Sequence, residues 1–167
     1  KKKLSAMQIG TFHAICMNFL KTQGVSFSLL NEREAKELAE QVTGELDLSA
    51  TRFLQQVSMK KSGVVISSEE SEKWQRAYAA YELLKKEQNL FDFDDLLLET
   101  MHILKSKEDT WSRSFTYLMV DEFQDINPVQ YKLLQLWNQK GRELFVIGDP
   151  DQSIYGFRGS DATCFEQ

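Results

Sequence analysis

The chain has 167 residues, 42% of them hydrophobic and 27% charged, the balance of an ordinary globular fold with room for a real core. Its apolar runs, such as Leu96-Leu97-Leu98, are far too short to cross a bilayer, and no signal-peptide stretch follows Lys1-Lys2-Lys3. A formal net charge of -5 argues against a protein that coats nucleic acid by bulk electrostatics, but leaves room for a narrow groove in which stacking holds one strand.

In chain order, Lys1 to Leu4 reads as the end of a helix, and Met7 to Thr11 as a short strand or extended lead-in. Phe12 to Thr22 carries helical spacing at Phe12, Ile15, Phe19 and Leu20, with Gly24 as the stop. Residues 28 to 90 read as helices only. Asn31 with Glu34 forms a capping box that Leu30 can staple, and Leu38 and Val42 form an apolar stripe that ends at Gly44. Ser49 caps a segment with Phe53, Leu54 and Val57, and Ser67 with Glu70 is expected to open a long helix. Trp74, Ala77, Tyr78, Tyr81 and Leu84 share one face of it, a spacing that suits core better than a ligand surface. Asp92, Asp94 and Asp95 cluster where the next helix begins; carboxylates there meet free N–H groups and the positive dipole end, a simpler reading than a metal site.

The pattern then changes. Tyr117-Leu118-Met119-Val120 is an apolar run that ends in acids. Asn127-Pro128 opens an amphipathic helix through Trp137, with Gly141 as its stop, and Leu144 to Ile147 reads as a second buried run. Strand, helix, strand with continuous apolar strands indicates a parallel sheet. The fold expected is α/β, with an all-helical subdomain inserted into it: 1–27 in the α/β domain, 28–110 the insertion, 111–167 the α/β domain again. Cys16 and Cys164 have no metal-type spacing and read as buried free thiols of a reducing cytoplasm.

Ligands of open parallel sheets bind beyond the carboxyl ends of the strands. Two such ends are acidic here: Asp121-Glu122 after the first run, and Asp149-Pro150-Asp151-Gln152 after the second. An Asp directly after a strand suits a hydrated Mg²⁺, and a neighbouring Glu suits activation of a water. Gln152 is a neutral amide able to bond a terminal phosphate and lose that bond after hydrolysis. Tyr155, Phe157 and Arg158 around Gly156 offer two aromatic faces and a guanidinium for unpaired bases, or a turn tucked onto the core.

Val120-Asp121-Glu122-Phe123-Gln124-Asp125 resembles the Walker B motif of superfamily 1 DNA helicases of the UvrD/Rep/PcrA group, and the run from Gly148 to Gly159 resembles their motif III. Gly10-Thr11-Phe12-His13 is similar to the small motif between the second and third strands of their first motor domain, and Asp92 to Leu97 to a segment they carry before Walker B. The four matches span nearly the whole chain. The resemblance implies a partial RecA-like sheet of the P-loop NTPase type. It implies ATP and Mg²⁺ as cofactors, with Asp121 as metal ligand, Glu122 as catalytic base and Gln152 as γ-phosphate sensor. It further implies DNA contacts at Thr11, Phe12, His13, Tyr155, Phe157 and Arg158, with single-stranded and duplex DNA as substrates and 3′ to 5′ movement. The family usually has Trp where Phe157 stands, a change that keeps stacking and loses the indole N–H. The Gly-x-x-x-x-Gly-Lys-Ser/Thr loop does not occur in these residues. The chain is therefore expected to be excised from a longer cytoplasmic parent, a DNA-repair helicase, and to be inactive in ATP hydrolysis by itself. Three alternatives stay open: a Mg²⁺-dependent nuclease built on Asp121, Glu122, Asp149 and Asp151; a non-catalytic docking module for DNA or protein; and the motor part of a recombination helicase-nuclease.

Overall fold

The computed structural model describes residues 7–64, 71–106, 115–139 and 143–152. Helix α1 (Phe12–Thr22) starts at Thr11, whose hydroxyl accepts from the Ala14 N–H at 3.3 Å. Met7 to Thr11 leads into it without strand pairing, and Gly24 ends the turn at φ +75°, a conformation that only glycine adopts cheaply. Strand β1 (Ser28–Leu29) leads into α2 (Glu32–Thr43), whose start is a reciprocal capping box between Asn31 and Glu34 with both bonds at 2.9 Å. Gly44 does close α2, but in a right-handed conformation; a short 3₁₀ turn follows and the left-handed residue is Asp47. Helix α3 (Ala50–Lys61) is capped by Ser49. Helix α4 (Glu72–Glu87) is capped not by Ser67 but by Ser71, which accepts from the Trp74 N–H at 3.2 Å; Ser67 and Glu70 lie outside the described residues. Then come β2 (Leu90–Phe91), α5 (Phe93–Ser106), β3 (Tyr117–Val120), α6 (Pro128–Trp137) and β4 (Glu143–Val146). Asn127 and Gln130 build a second capping box under Pro128 at the start of α6.

Two apolar clusters organise these elements. In the first, α1 and α6 pack against α5, burying Phe19, Leu20, Leu96, Leu97 and Leu133, and β3 adds Val120. In the second, α2, α3 and α4 bury Leu38, Phe53, Val57, Trp74, Ala77 and Tyr81, so the aromatic stripe of α4 is core. Its rings are in contact, Phe53 edge-on to Tyr81 at 5.6 Å and Trp74 stacked on Tyr78 at 5.0 Å. The chain enters the helical cluster through β1 and leaves it through β2, and the two strands pair in parallel, Ser28 opposite Leu90 and Leu29 opposite Phe91. Phe27 stacks on Phe91 at 4.6 Å beside that ladder. The middle of the chain is thus mostly helical but not helices only: the paired strands β1 and β2 stand at its two ends, too short at two residues each to show a strand period, and α5 packs with α1 and α6.

Strands β3 and β4 pair in parallel from Tyr117 opposite Glu143 to Val120 opposite Val146, with α6 as the crossover. The second apolar run is a strand, yet it is not buried: Phe145 is 56% exposed, and Leu144, Val146 and Ile147 are exposed with it. Continuous apolar strands are buried when layers cover both faces. Here Leu118 and Val120 turn towards the first cluster while Tyr117 and Met119 face away, and the described residues place no element over β4. Among the described residues the fold is a helix-rich α/β arrangement with two small parallel sheets. Among the described residues no helix is long and apolar enough to cross a membrane.

Candidate functional site

The parallel register brings the carboxyl ends of β3 and β4 side by side. The ladder continues past the strands, with Ile147 N–H donating to the Val120 carbonyl at 2.8 Å and Phe123 N–H to the Ile147 carbonyl at 2.9 Å. Asp121 and Glu122 leave one strand end, and Asp149 to Gln152 leave the other as a 3₁₀ turn. Glu122 stands in the left-handed region at φ 52°, ψ 44°, costly for a residue with a Cβ and of the kind that concentrates at functional sites. Its own N–H donates to Asp121 Oδ1 at 3.0 Å.

One side chain joins the two strand ends. Gln124 is 2% exposed; its Nε2 donates to Glu122 Oε2 at 2.6 Å, and its Oε1 accepts from the Asp149 N–H at 3.0 Å. Asp149 Oδ1 in turn accepts from the Asp151 N–H at 3.0 Å, and Oδ2 from Gln152 Nε2 at 2.8 Å. A hydrogen-bonded path thus runs from Glu122 through Gln124 and Asp149 to Gln152. Asp121, Glu122, Asp149 and Gln152 are exposed, and among the described residues no Lys or Arg pairs with these acids. Open carboxylates whose charge is not already neutralised fit a hydrated divalent cation, Asp121 being the one directly at a strand end. Asp121, Glu122 and Gln152 stand here as their sequence pattern suggests, whereas the pattern gives Gln124 no role. The available signal was a neutral amide two residues past the Glu, between the apolar Phe123 and Ile126, able to donate to a carboxylate and accept from a backbone N–H at once.

The remaining candidates sit elsewhere. Thr11 is the cap of α1. Phe12 stacks on Trp137, the last residue of α6, at 5.9 Å, and His13 meets the edge of Phe93 at 5.7 Å. Burial lowers the His13 pKa and so favours the neutral imidazole. Among the described residues no hydrogen bond or ring contact links these three to Asp121, Glu122 or Asp149. Tyr155, Phe157 and Arg158 lie outside the described residues, as does Cys164. Cys16 is buried and free, its thiol pushed up to about 12 by burial.

The acids at the start of α5 behave differently. Asp92 and Asp95 accept each other's N–H, at 2.9 and 3.0 Å, the helix-start arrangement expected of them. They also hold two lysines, 3% and 2% exposed at the side chain, which the acid cluster alone does not reveal. Lys61 Nζ lies 2.8 Å from Glu82, 2.7 Å from Asp92 and 2.6 Å from Asp95. Lys85 Nζ lies 3.1 Å from Glu82 and 2.6 Å from Asp92, and it also bonds Asp95. The oxygens of Glu82, Asp92 and Asp95 converge within 4.8 Å, a spacing a cation could use, but the two ammonium groups already take that place. Burial opposes the charge of Lys61, and the three acids outweigh it and raise its pKa. Burial likewise opposes charge on Asp92, and the two lysines hold its carboxyl down to about 2. Burial and the charge of Asp92 raise the Asp95 pKa, against the pull of the two lysines. Asp94, beside them, is pushed up to about 6 by burial.

Comparison with known proteins agrees with the strand-end motifs. The chain is 31% identical to the ATP-dependent DNA helicase Rep of Buchnera aphidicola subsp. Baizongia pistaciae, over 96% of this chain and 27% of that protein. It is 30% identical to the ATP-dependent DNA helicase PcrA of Leuconostoc citreum, over 92% of this chain and 23% of that protein. The chain spans about a quarter of the length of these curated relatives. The sequence model of the UvrD/REP helicase N-terminal domain matches residues 1–167, and the chain belongs to the UvrD/Rep helicase family.

Proposed function

We propose that this chain supplies the metal-binding and nucleotide-sensing edge of the first motor domain of an ATP-dependent DNA helicase. The observation that carries the reading is the bonded path from Glu122 to Gln152 across the ends of two parallel strands. Asp121 would hold Mg²⁺, which when bound neutralises charge on the phosphate oxygens during transfer. Glu122 accepts the proton of the attacking water. Gln152 has two N–H bonds on its amide; one is on Asp149, and the second is available to a γ-phosphate oxygen. Breaking that bond after hydrolysis would alter the turn that leads to Tyr155, Phe157 and Arg158, which would stack unpaired bases. Thr11, Phe12 and His13 would lie along the same strand of DNA.

In this reading residues 1–27 and 111–167 belong to a RecA-like motor domain, and 28–110 to a helical insertion whose last helix, α5, is packed on the motor side. The full-length protein works in the cytoplasm, moves 3′ to 5′ on single-stranded DNA and unwinds duplex during DNA repair. The isolated 167 residues do not hydrolyse ATP, because the phosphate-gripping loop does not occur in them. The test is strand displacement by the full-length protein. ATP-dependent unwinding of a 3′-tailed duplex, with little on a 5′-tailed one, is the expected result. ATP-independent, Mg²⁺-dependent cutting of either substrate would replace the helicase reading with the nuclease one.

A further inference from the structure

We infer that Gln124 is a positioning residue for hydrolysis, holding the Glu122 carboxylate in place and tying it to the turn that carries Gln152. The inference rests on the assignment of Glu122 as base given above. Four observations converge on it. Gln124 is almost completely buried, so its amide cannot exchange these partners for water without cost. Its orientation is fixed by chemistry: the Asp149 N–H can be accepted only by the amide oxygen, which leaves the NH₂ to face Glu122. The bond to Glu122 is a short charge-assisted one, the class that restrains geometry most strongly. Glu122 itself sits in a left-handed backbone conformation that needs such outside support.

The same amide spans 25 residues of sequence to reach the backbone N–H of Asp149, whose side chain holds Gln152. A shift of the Gln152 turn would therefore be felt at Glu122 through Asp149 and the Gln124 side chain. Glu122 has no other side-chain hydrogen bond among the described residues, so its second carboxylate oxygen remains available to water.

The test uses the full-length protein and four forms: wild type, Glu122→Gln, Gln124→Met and the double variant. Gln124→Met keeps length and volume while removing both bonds. Its kcat for DNA-stimulated ATP hydrolysis should fall by about 10- to 100-fold, the scale of a misplaced catalytic group. The KM for ATP, and the affinity for a fluorescent ATP analogue measured without turnover, should stay within about twofold. The double variant should be no slower than Glu122→Gln alone, because Gln124 acts through Glu122. Wild-type kcat in Gln124→Met would overturn the inference, as would a loss that adds to that of Glu122→Gln or a matching loss of analogue binding. If Gln124→Met melts below the assay temperature, isosteric Gln124→Glu carries the test: it keeps the acceptor, sets a charge against Glu122, and should lose turnover equally. Wild-type turnover in Glu122→Gln removes the base assignment itself. Slow Glu122→Gln beside normal Gln124→Met removes only the role of Gln124.

Discussion

Two groups of acids stand at element ends in this chain, and they differ in what holds them. At the start of α5, Asp92 and Asp95, with Glu82 from α4, surround two buried lysines, so their charge is spent inside the protein. At the ends of β3 and β4, Asp121, Glu122 and Asp149 are exposed and their carboxylates are held by uncharged amides and backbone N–H groups, so their charge is kept. Clustering alone does not mark a metal or catalytic site; the nature of the partner does. A lysine neutralises and fixes a carboxylate, whereas an amide fixes it and leaves its charge for a cation or a proton.

The largest effect that sharpens this contrast is on stability. Lys85→Met leaves three carboxylates around a single ammonium and should cost about 3–5 kcal/mol in urea unfolding, the scale of breaking a buried ion pair from one side. Asp121→Asn, which keeps the Oδ1 that accepts from Glu122, should change unfolding by no more than about 0.5 kcal/mol. Equal losses in the two variants would erase the distinction between the groups.

A smaller effect separates neighbours within the buried group by pH. The Asp92 carboxyl is held at about 2, below its ordinary 3.8. Its stabilisation is therefore complete above about 3.8 and is lost as pH falls through about 2. Asp94 is raised to about 6 from 3.8, so it opposes folding when charged: stability falls as pH rises from 3.8 to 6 and is level above. Asp94→Asn should flatten that slope and stabilise the protein at pH 7 by about 1–3 kcal/mol. An unchanged pH profile in unfolding experiments would contradict this placement of Asp94.

Much of the frame was legible in the residues. The capping box at Asn31, the cap at Asn127, the aromatic face of α4 and the strand–helix–strand at the end are local patterns, and local patterns are what a sequence displays. The lysines were also within reach. Lys61 follows Phe53 and Val57 at intervals of four, and Lys85 follows Ala77 and Tyr81 in the same way, so both fall on buried faces. A charged residue in an apolar stripe asks for a partner, and the Asp92 cluster provides it. Other features had no local signal. The pairing of β1 with β2 joins two-residue strands 62 positions apart, and the bridge from Gln124 to Asp149 depends on a register set by the β3–β4 ladder. The choice of Ser71 rather than Ser67 as the α4 cap falls within the ambiguity of a serine- and glutamate-rich run. The exposure of β4 was hidden because apolar composition tells that a strand can be buried, not what is there to cover it.

The most direct test of the central claim, that the open strand-end acids are the hydrolytic ones, is the turnover of ATP by the full-length protein with Glu122→Gln, with and without single-stranded DNA. A loss of about 10²-fold or more with nucleotide binding intact is the expected result when a general base is removed. Turnover equal to wild type, or wild-type turnover that is itself indifferent to DNA, would contradict it.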